Sequence, residues 1–501
     1  VTDSTNIPAI PNPQYDMTER RLTPDTLATL APHIHRPDYD RNATRIGIVH
    51  IGVGAFHRAH QAVYIDDLLA HDPNWAICGV SLNSRDVRDA LVPQDGLYTL
   101  ALLGAQPRLR VIGALREVFA AREQGERVLA RLSDADVRLV TLTITEKGYC
   151  LSAGELDFAH PDIAHDVIYP TTPVSAIGYI VEGLRRRKAQ RLPPFTVLSC
   201  DNLPDNGGKL RRAVVALAQR IDHDLACWIA ENGAFPRSMV DSITPATDDA
   251  LRARVSEALG CVDAWPVQRE AYTQWVVEDA FCNGRPPLER AGVTMSDDIA
   301  GYDRAKLRLL NAPHSALAYL GSLMGIETVA QAMATPVLAR FVGRLMREAI
   351  VPNVAAPDGF DAPRYVDAIL ERFRNPAIQH RLSQIAWDGS QKIPVRLLGT
   401  ISDALEAGRP IDVLCLPVAG WLQFVRRQAH GGVELADPMD ALLSQVGRTT
   451  TGDAAHDVAA FLALDAVFAP LSEDARFVAA LRRAYAALGD GSPSAVAVAL
   501  A

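Results

Sequence analysis

Five runs of the chain, RIGIVHIG, AICGVSL, LRVIGAL, RLVTLTIT and FTVLSC, are short, dense in Ile, Leu and Val, and barely alternate between apolar and polar residues. A strand with one face in water must alternate, so runs of this kind belong to a parallel sheet buried on both faces. Stretches between them, such as AIGYIVEGLRRRKA and KLRRAVVALAQRI, carry helical spacing, and the succession predicts βαβ units in a doubly wound α/β sheet. Beyond Ser296 the strand signal fades, and TVAQAMATPVLARFVGRLMREAI, PRYVDAILERF, LPVAGWLQFVRRQA and DARFVAALRRAYAAL read as successive helices. With 501 residues available, two cores are expected. The first domain covers residues 1–295, with a tail and a short amphipathic approach segment up to about Thr44, and an all-α C-terminal domain covers residues 296–501.

Charge and cysteine usage narrow the function classes. Lys and Arg total 50 against 59 Asp and Glu, with no lysine-rich run, which argues against a nucleic-acid partner. Seven cysteines, at 78, 150, 200, 227, 261, 282 and 415, are scattered without a C-x-x-C pair. That pattern suits a reducing compartment and offers neither a disulfide framework nor zinc-ligand spacing. The polar start VTDSTNIPAIPNPQYD has no signal-peptide pattern, and no run is apolar enough for a membrane span, so a soluble cytoplasmic protein is expected.

In IGIVHIGVGAFHRAHQ, Gly52 and Gly54 lie between a predicted strand and a predicted helix. In that context a G-x-G pair lets backbone approach a pyrophosphate and aims a helix N-terminus at it. The third glycine of the usual pattern is replaced by His57, so an ordinary tight turn is the alternative reading. A dinucleotide site also wants an acid after the next strand for the ribose hydroxyls. Asp86 is the first acid after AICGVSL. It favours NAD, whereas Arg85 beside it leaves NADP open.

A second cluster lies in KLRLLNAPHS, where Lys306, Asn311 and His314 fall within an arc of about 140° on a regular helix. Lys306 interrupts an apolar pattern, and burial of a lysine favours its neutral, basic form. Pro313 cannot donate to the carbonyl of Leu309, so the helix should be disrupted there. Two strand runs end in polar groups, Asn202 after FTVLSC and Glu146 with Lys147 after RLVTLTIT. In open α/β sheets ligands gather beyond such carboxyl ends.

Taken in order, GVGAFHRAHQ, TITEKGYC, SCDNLPDNG, FPRSMVDSITP, QWVVEDAFCNGRP, KLRLLNAPHS and DGSQK resemble the long-chain polyol dehydrogenase family, which includes mannitol dehydrogenases and fructuronate reductases. The resemblance covers nearly the whole chain after the tail. It implies a Rossmann-type N-terminal domain holding NAD or NADP on Gly52, Gly54, Phe56, His57, Arg58 and Asp86. It further implies metal-independent hydride transfer to or from a sugar acid or polyol, with Lys306 as general base. Asn202 and Asn311 would hold the reacting oxygen, His314 would bind a neighbouring hydroxyl, and Asp303 would relay protons from Lys306. Asp241 and Lys392 would contact substrate hydroxyls. Ser242 departs from the family, which usually carries arginine there, and a monomer is consistent with the resemblance.

Two positions bear on the substrate. Lys147 stands where the mannitol branch tends to have glycine, and Gln384 where that branch has arginine, so both resemble the fructuronate branch. Fructuronate carries a carboxylate, for which Lys147 is the candidate cation, with Arg396 a weaker one. The expected reaction is the interconversion of D-mannonate and D-fructuronate. The alternatives are a mannitol 2-dehydrogenase acting on fructose and, from another class, a catalytically silent cofactor-binding sensor.

Overall fold

A computed structural model describes residues 20–104 and 108–501, so most of the expected tail lies outside the described residues. The chain divides into two compact units, the first taking residues 20–102, 108–269 and 273–295, the second 103–104, 270–272 and 296–501.

The first unit is a Rossmann-type α/β fold. Its central sheet has five parallel strands, Ile46–Ile51, Ala76–Ser81, Leu115–Ala120, Leu139–Leu142 and Thr196–Ser199, in the spatial order third, second, first, fourth, fifth. Val49, Ile51, Val80, Val140 and Val197 feed the core on one face, and Ile48, Ile77, Leu139 and Leu198 the core on the other. Two covered faces are the reason these strands do not alternate. The chain builds outward from the first strand to the third, then returns to lay the fourth along the first strand's other edge. The strand order therefore reverses beside Ile46–Ile51, the place where doubly wound sheets bind ligands.

The sequence expectation for LRVIGAL needs correction. LRVIGAL is not one strand of this sheet. Arg108–Ile112 pairs antiparallel with Tyr98–Leu103, and only Leu115–Ala120 joins the parallel sheet. The chain bends at Gly113, whose carbonyl accepts from Arg41 Nε at 3.1 Å. A β-carbon at Gly113 would come within 3.0 Å of that side chain. The approach segment before Thr44 is also integral to the unit. Leu22, Leu30 and Ile34 are buried, and the Leu22 and His35 amides donate to Val262 and Leu109.

The second unit is helical, with no extended strand among the described residues from 296 to 501. Ala312–Leu323 packs against Asp412–His430, which packs in turn against Ala475–Ala487, around Leu317, Leu320, Val418, Leu422, Phe477 and Leu481. The long run expected as a single helix over 328–350 is instead Val329–Ala334, Pro336–Arg344 and a π-helical turn Leu345–Ile350. Pro336 has no amide hydrogen to continue a helix, so Thr335 begins a new one. No helix among the described residues is long and apolar enough to cross a membrane.

The two glycines of the first loop are glycines for different reasons. Gly52 has φ +96°, and a β-carbon there would lie 2.1 Å from the Thr143 carbonyl oxygen. Gly54 is exposed with φ −77°, and its β-carbon would meet nothing nearer than the Gly52 oxygen at 3.8 Å. Gly52→Ala should therefore lower the urea-unfolding midpoint by the equivalent of about 2 kcal/mol or more. Gly54→Ala should leave it within about 0.5 kcal/mol of the parent; equal losses in both would contradict this account.

Candidate active site

In the first unit the functional candidates gather at the carboxyl ends of adjacent strands. Gly54 is the N-cap of the short helix Ala55–Ala59 and has no side chain to cap it, so the first-turn amides face outward without an intrahelical acceptor. Beneath the loop, the His50 ring contacts Thr141 Oγ at 2.7 Å and Thr143 Oγ at 2.9 Å, and Thr143 Oγ donates to the Gly52 carbonyl at 2.8 Å. His57 stacks on His50 at 3.3 Å, and both its ring nitrogens are buried without a hydrogen-bond partner. Burial holds the pKa of His50 down to about 3, and burial followed by its basic neighbours holds His57 well below the usual histidine range.

Asp201 organises the neighbouring loops. Its carboxylate accepts the Ile144 and Thr145 amides at 3.0 Å each and the Tyr149 hydroxyl at 2.7 Å. Thr145, forced to φ +63°, opens the short helical turn Thr145–Gly148, which presents Glu146 and Lys147 to solvent. Asn202, next to Asp201, is exposed at the end of the fifth strand. One carboxylate thus brings the loops of Lys147 and Asn202 together. Asp241 is buried at the end of the strand Ser238–Asp241, opposite Gln274.

Asp86 is exposed in the first turn of Asp86–Leu91, its amide donating to Ser84 Oγ at 3.0 Å. It lines a cavity of about 430 Å³ with Leu82, Asn83, Arg85 and Arg122. Arg85 reaches only loosely toward Asp89 at 3.6 Å and Glu123 at 3.8 Å. Adjoining this is a slot of about 730 Å³ whose walls include Leu82, Leu129, Pro173, Val174 and Tyr179.

Placement of the loop side chains corrects the sequence reading. Arg58 was expected among the cofactor contacts, yet its guanidinium is buried, donates to the Trp265 carbonyl at 2.6 Å and lies over the rings of Tyr98 and Trp265. The His57 ring is likewise interior, and Phe56 stacks on His60 at 5.0 Å. The side chains of His57 and Arg58 thus brace the loop from within, while Phe56 is half-buried.

In the second unit, Lys306 ends the helix Ile299–Lys306 and is only 9 % exposed, with Asp303 one turn before it. A π-helical turn, Leu307–Asn311, follows and runs into Ala312–Leu323. This is how the fold absorbs the donor missing at Pro313. His314 is buried, stacked on Phe373 at 4.3 Å and edge-on to His380 at 5.2 Å, with Nε2 lacking a hydrogen-bond partner. Burial, then His380, Arg372 and Arg396, hold it well below the usual histidine range, so it is neutral. Arg396 Nη1 donates to Ser315 Oγ at 3.0 Å and to the Asn311 carbonyl at 3.4 Å. Lys392, four residues earlier, lies 3.4 Å from the Ile385 carbonyl and 3.8 Å from Asp388; burial and then Arg396 lower its pKa. Gln384 is exposed on the short helix Leu382–Ile385.

Sequence reasoning overlooked Asp201, His50, Phe373 and His380. Only Asp201 left a signal, as the acid beside Asn202 in SCDN; the others act through contacts between distant segments.

Comparison with known proteins matches these features to a family. Residues 46–290 fit the mannitol dehydrogenase Rossmann domain and residues 298–489 the mannitol dehydrogenase C-terminal domain. The chain belongs to the mannitol dehydrogenase family of oxidoreductases. Among its relatives, the D-mannonate oxidoreductase of Escherichia coli K12 is 41 % identical over 463 residues, covering 90 % of this chain and 95 % of the relative. A D-sorbitol dehydrogenase solved in substrate-free form superposes with TM-score 0.88 at 34 % identity, over 96 % of this chain and all of that one. Pseudomonas fluorescens mannitol 2-dehydrogenase, solved as a ternary complex with NAD and D-mannitol, superposes with TM-score 0.77 at 38 % identity, over 95 % and 98 % of the two chains.

Four histidines, His50, His57, His314 and His380, have pKa values lowered by burial. An unfolded histidine titrates near about 6.5, so below that pH the unfolded chain binds protons that the folded chain refuses. Stability should fall as pH drops from about 7.5 to about 5.5, approaching 1.4 kcal/mol per pH unit for each such histidine at the acid end. Thermal midpoints across this range check it; a flat profile would mean the rings protonate in place.

Proposed function

We propose that this chain is an NAD-dependent fructuronate reductase, interconverting D-fructuronate and D-mannonate. The observation that carries the reading is Lys147, a cation presented to solvent on a turn that the Asp201 carboxylate fixes. Fructuronate differs from fructose by a carboxylate at the chain end remote from the ketone, and such a group needs a cation. Identity alone does not separate the two branches, since a D-mannonate oxidoreductase matches at 41 % and mannitol 2-dehydrogenases at 40–41 %. Similarity to a mannitol 2-dehydrogenase at 38 % identity keeps fructose and mannitol as the second reading.

The glycine loop fits a dinucleotide. Gly54 has an ordinary φ and open space at its β-carbon position, so the protein's own packing does not require glycine there, whereas close approach of a pyrophosphate does. Gly52, Gly54 and the first-turn amides of Ala55–Ala59 would hold the phosphates, and Asp86 the ribose hydroxyls. Arg85, exposed and loosely paired, makes NADP the weaker alternative. When bound, the nicotinamide accepts or supplies the hydride.

The chain's own residues handle the proton and the oxygen. Lys306 takes the hydroxyl proton in oxidation and returns it in reduction, with Asp303 relaying it. Asn202 and Asn311 donate amide hydrogens to the reacting oxygen, each contributing roughly 3 kcal/mol by analogy with other preorganised donors. His314, neutral and held by Phe373, bonds a neighbouring hydroxyl. Asp241 and Lys392 bind further hydroxyls, and Gln384 and Arg396 belong to the same specificity set. Arg396, by donating to the Asn311 carbonyl, also steadies the residue that holds the oxygen.

NADH consumption with D-fructuronate and with D-fructose, compared as kcat/KM and repeated with NADPH, tests the assignment. Fructuronate with NADH should be strongly preferred, and Lys147→Gly should lower kcat/KM for fructuronate by about tenfold or more while sparing fructose. A preference for fructose would return the chain to the mannitol reading. Lys306→Ala should cut kcat by about 10²- to 10⁴-fold while NADH fluorescence still reports binding. Unchanged turnover would overturn the mechanism, and a parent chain that binds NADH but turns over nothing would be the silent sensor.

A further inference from the structure

The segment after Lys147 brings together three side chains that the proposed reaction does not use. Cys150, only 5 % exposed, precedes a small hairpin in which Leu151–Ser152 pairs antiparallel with Glu155–Leu156. The hairpin folds the chain back on itself, with the Asp157 amide donating to the Cys150 carbonyl at 2.9 Å and the His160 amide to the Asp157 carbonyl at 3.1 Å. His160 then caps the helix Pro161–Ile168, its Nδ1 accepting from the Asp162 amide at 3.3 Å. As a result one ligand atom from each of Cys150, His160 and Asp162 lies within 4.8 Å of the others.

We propose that Cys150, His160 and Asp162 form a binding site for a zinc-class divalent cation, separate from the hydride chemistry. A thiolate, an imidazole and a carboxylate are a donor set that zinc takes, with a fourth position left to water. Tetrahedral bond lengths would put these donor atoms about 3.3–3.6 Å apart. Closing the remaining ångström or so requires only side-chain rotation, because Asp162 is exposed and His160 is half-buried. Their exposed side is the route of entry, and the sulfur forms the floor. Asp166 is not itself a ligand, since it accepts the Val174 and Ser175 amides and the Ser175 hydroxyl.

Coordination forms metal–sulfur, metal–nitrogen and metal–oxygen bonds and releases the thiol proton to solvent, with no change of oxidation state. It would clamp the two ends of the hairpin. The sequence concealed the set because its ligands are spaced ten and two residues apart, outside the familiar zinc patterns.

The test uses the full chain carrying Cys227→Ser, because Cys227 lies 3.6 Å from His223 Nε2 and offers a competing surface pair. Zn²⁺ is titrated against a chromophoric chelator, and Co²⁺ is followed by absorption. One equivalent per chain is expected, with a thiolate-to-cobalt charge-transfer band in the near ultraviolet. Cys150→Ser should abolish the band and weaken Zn²⁺ binding at least tenfold. Asp162→Asn, at an exposed position where folding is not at stake, should weaken binding while keeping the band. Absence of stoichiometric binding, or an affinity that neither substitution alters, would overturn the proposal.

Discussion

The sheet unit is organised around the contact between Gly52 and the Thr143 carbonyl. Parallel pairing sets His50 opposite Thr141 and Ile51 opposite Leu142, so the two strands leave the sheet side by side and their first loop residues must touch. Only a residue without a side chain, in the left-handed region, fits there. The contact puts the glycine loop beside the turn that carries Lys147, at the one edge where the strand order reverses. His50 and His57 fill the space below as neutral stacked rings, and Asp201 holds the adjoining turn from its other side. Backbone geometry here precedes chemistry, because the exposed groups are placed by residues that touch no ligand.

The helical unit solves a similar problem by other means. A lysine is costly inside an apolar helix unless the local structure has a use for it. Lys306 sits at the boundary between a regular helix and the π-helical turn, where the hydrogen-bond ladder is already interrupted. The π-helical turn Pro394–Leu398 packs on the first, and from it Arg396 reaches the Asn311 carbonyl and Ser315. Phe373 and His380 fix the plane of His314 from a third direction. The rigid surroundings of these groups are supplied by segments far apart in the chain.

That separation explains what the sequence could reveal. The buried parallel strands were legible because covering both faces removes alternation over whole segments. The helical part was legible because periodicity survives over ten or more residues. Breaks were harder to see: Gly113 interrupts LRVIGAL where Pro37 and Arg41, some seventy residues away, close on it, and no local pattern encodes that. The identities of Lys306, Asn311 and His314 stood out as polar groups in an apolar stretch. The burial of Arg58 was not visible, because the aromatic rings and carbonyl that engage it come from the distant Tyr98 and Trp265. The Cys150, His160 and Asp162 grouping depends on a six-residue hairpin, Leu151–Leu156, too short to announce itself.

The π-helical turn at Leu307–Asn311 has an angular consequence. One residue more than an α-helical turn needs advances the chain without advancing its phase, so Asn311 and His314 lie effectively four and seven residues beyond Lys306. At about 100° per residue, their directions become roughly 40° and −20° from that of Lys306, and the arc of about 140° for a regular helix shrinks to about 60°. The extra residue therefore works as a spacer along the helix. It turns a broad helical face into a narrow stripe along which a lysine, an amide and an imidazole stand almost in line.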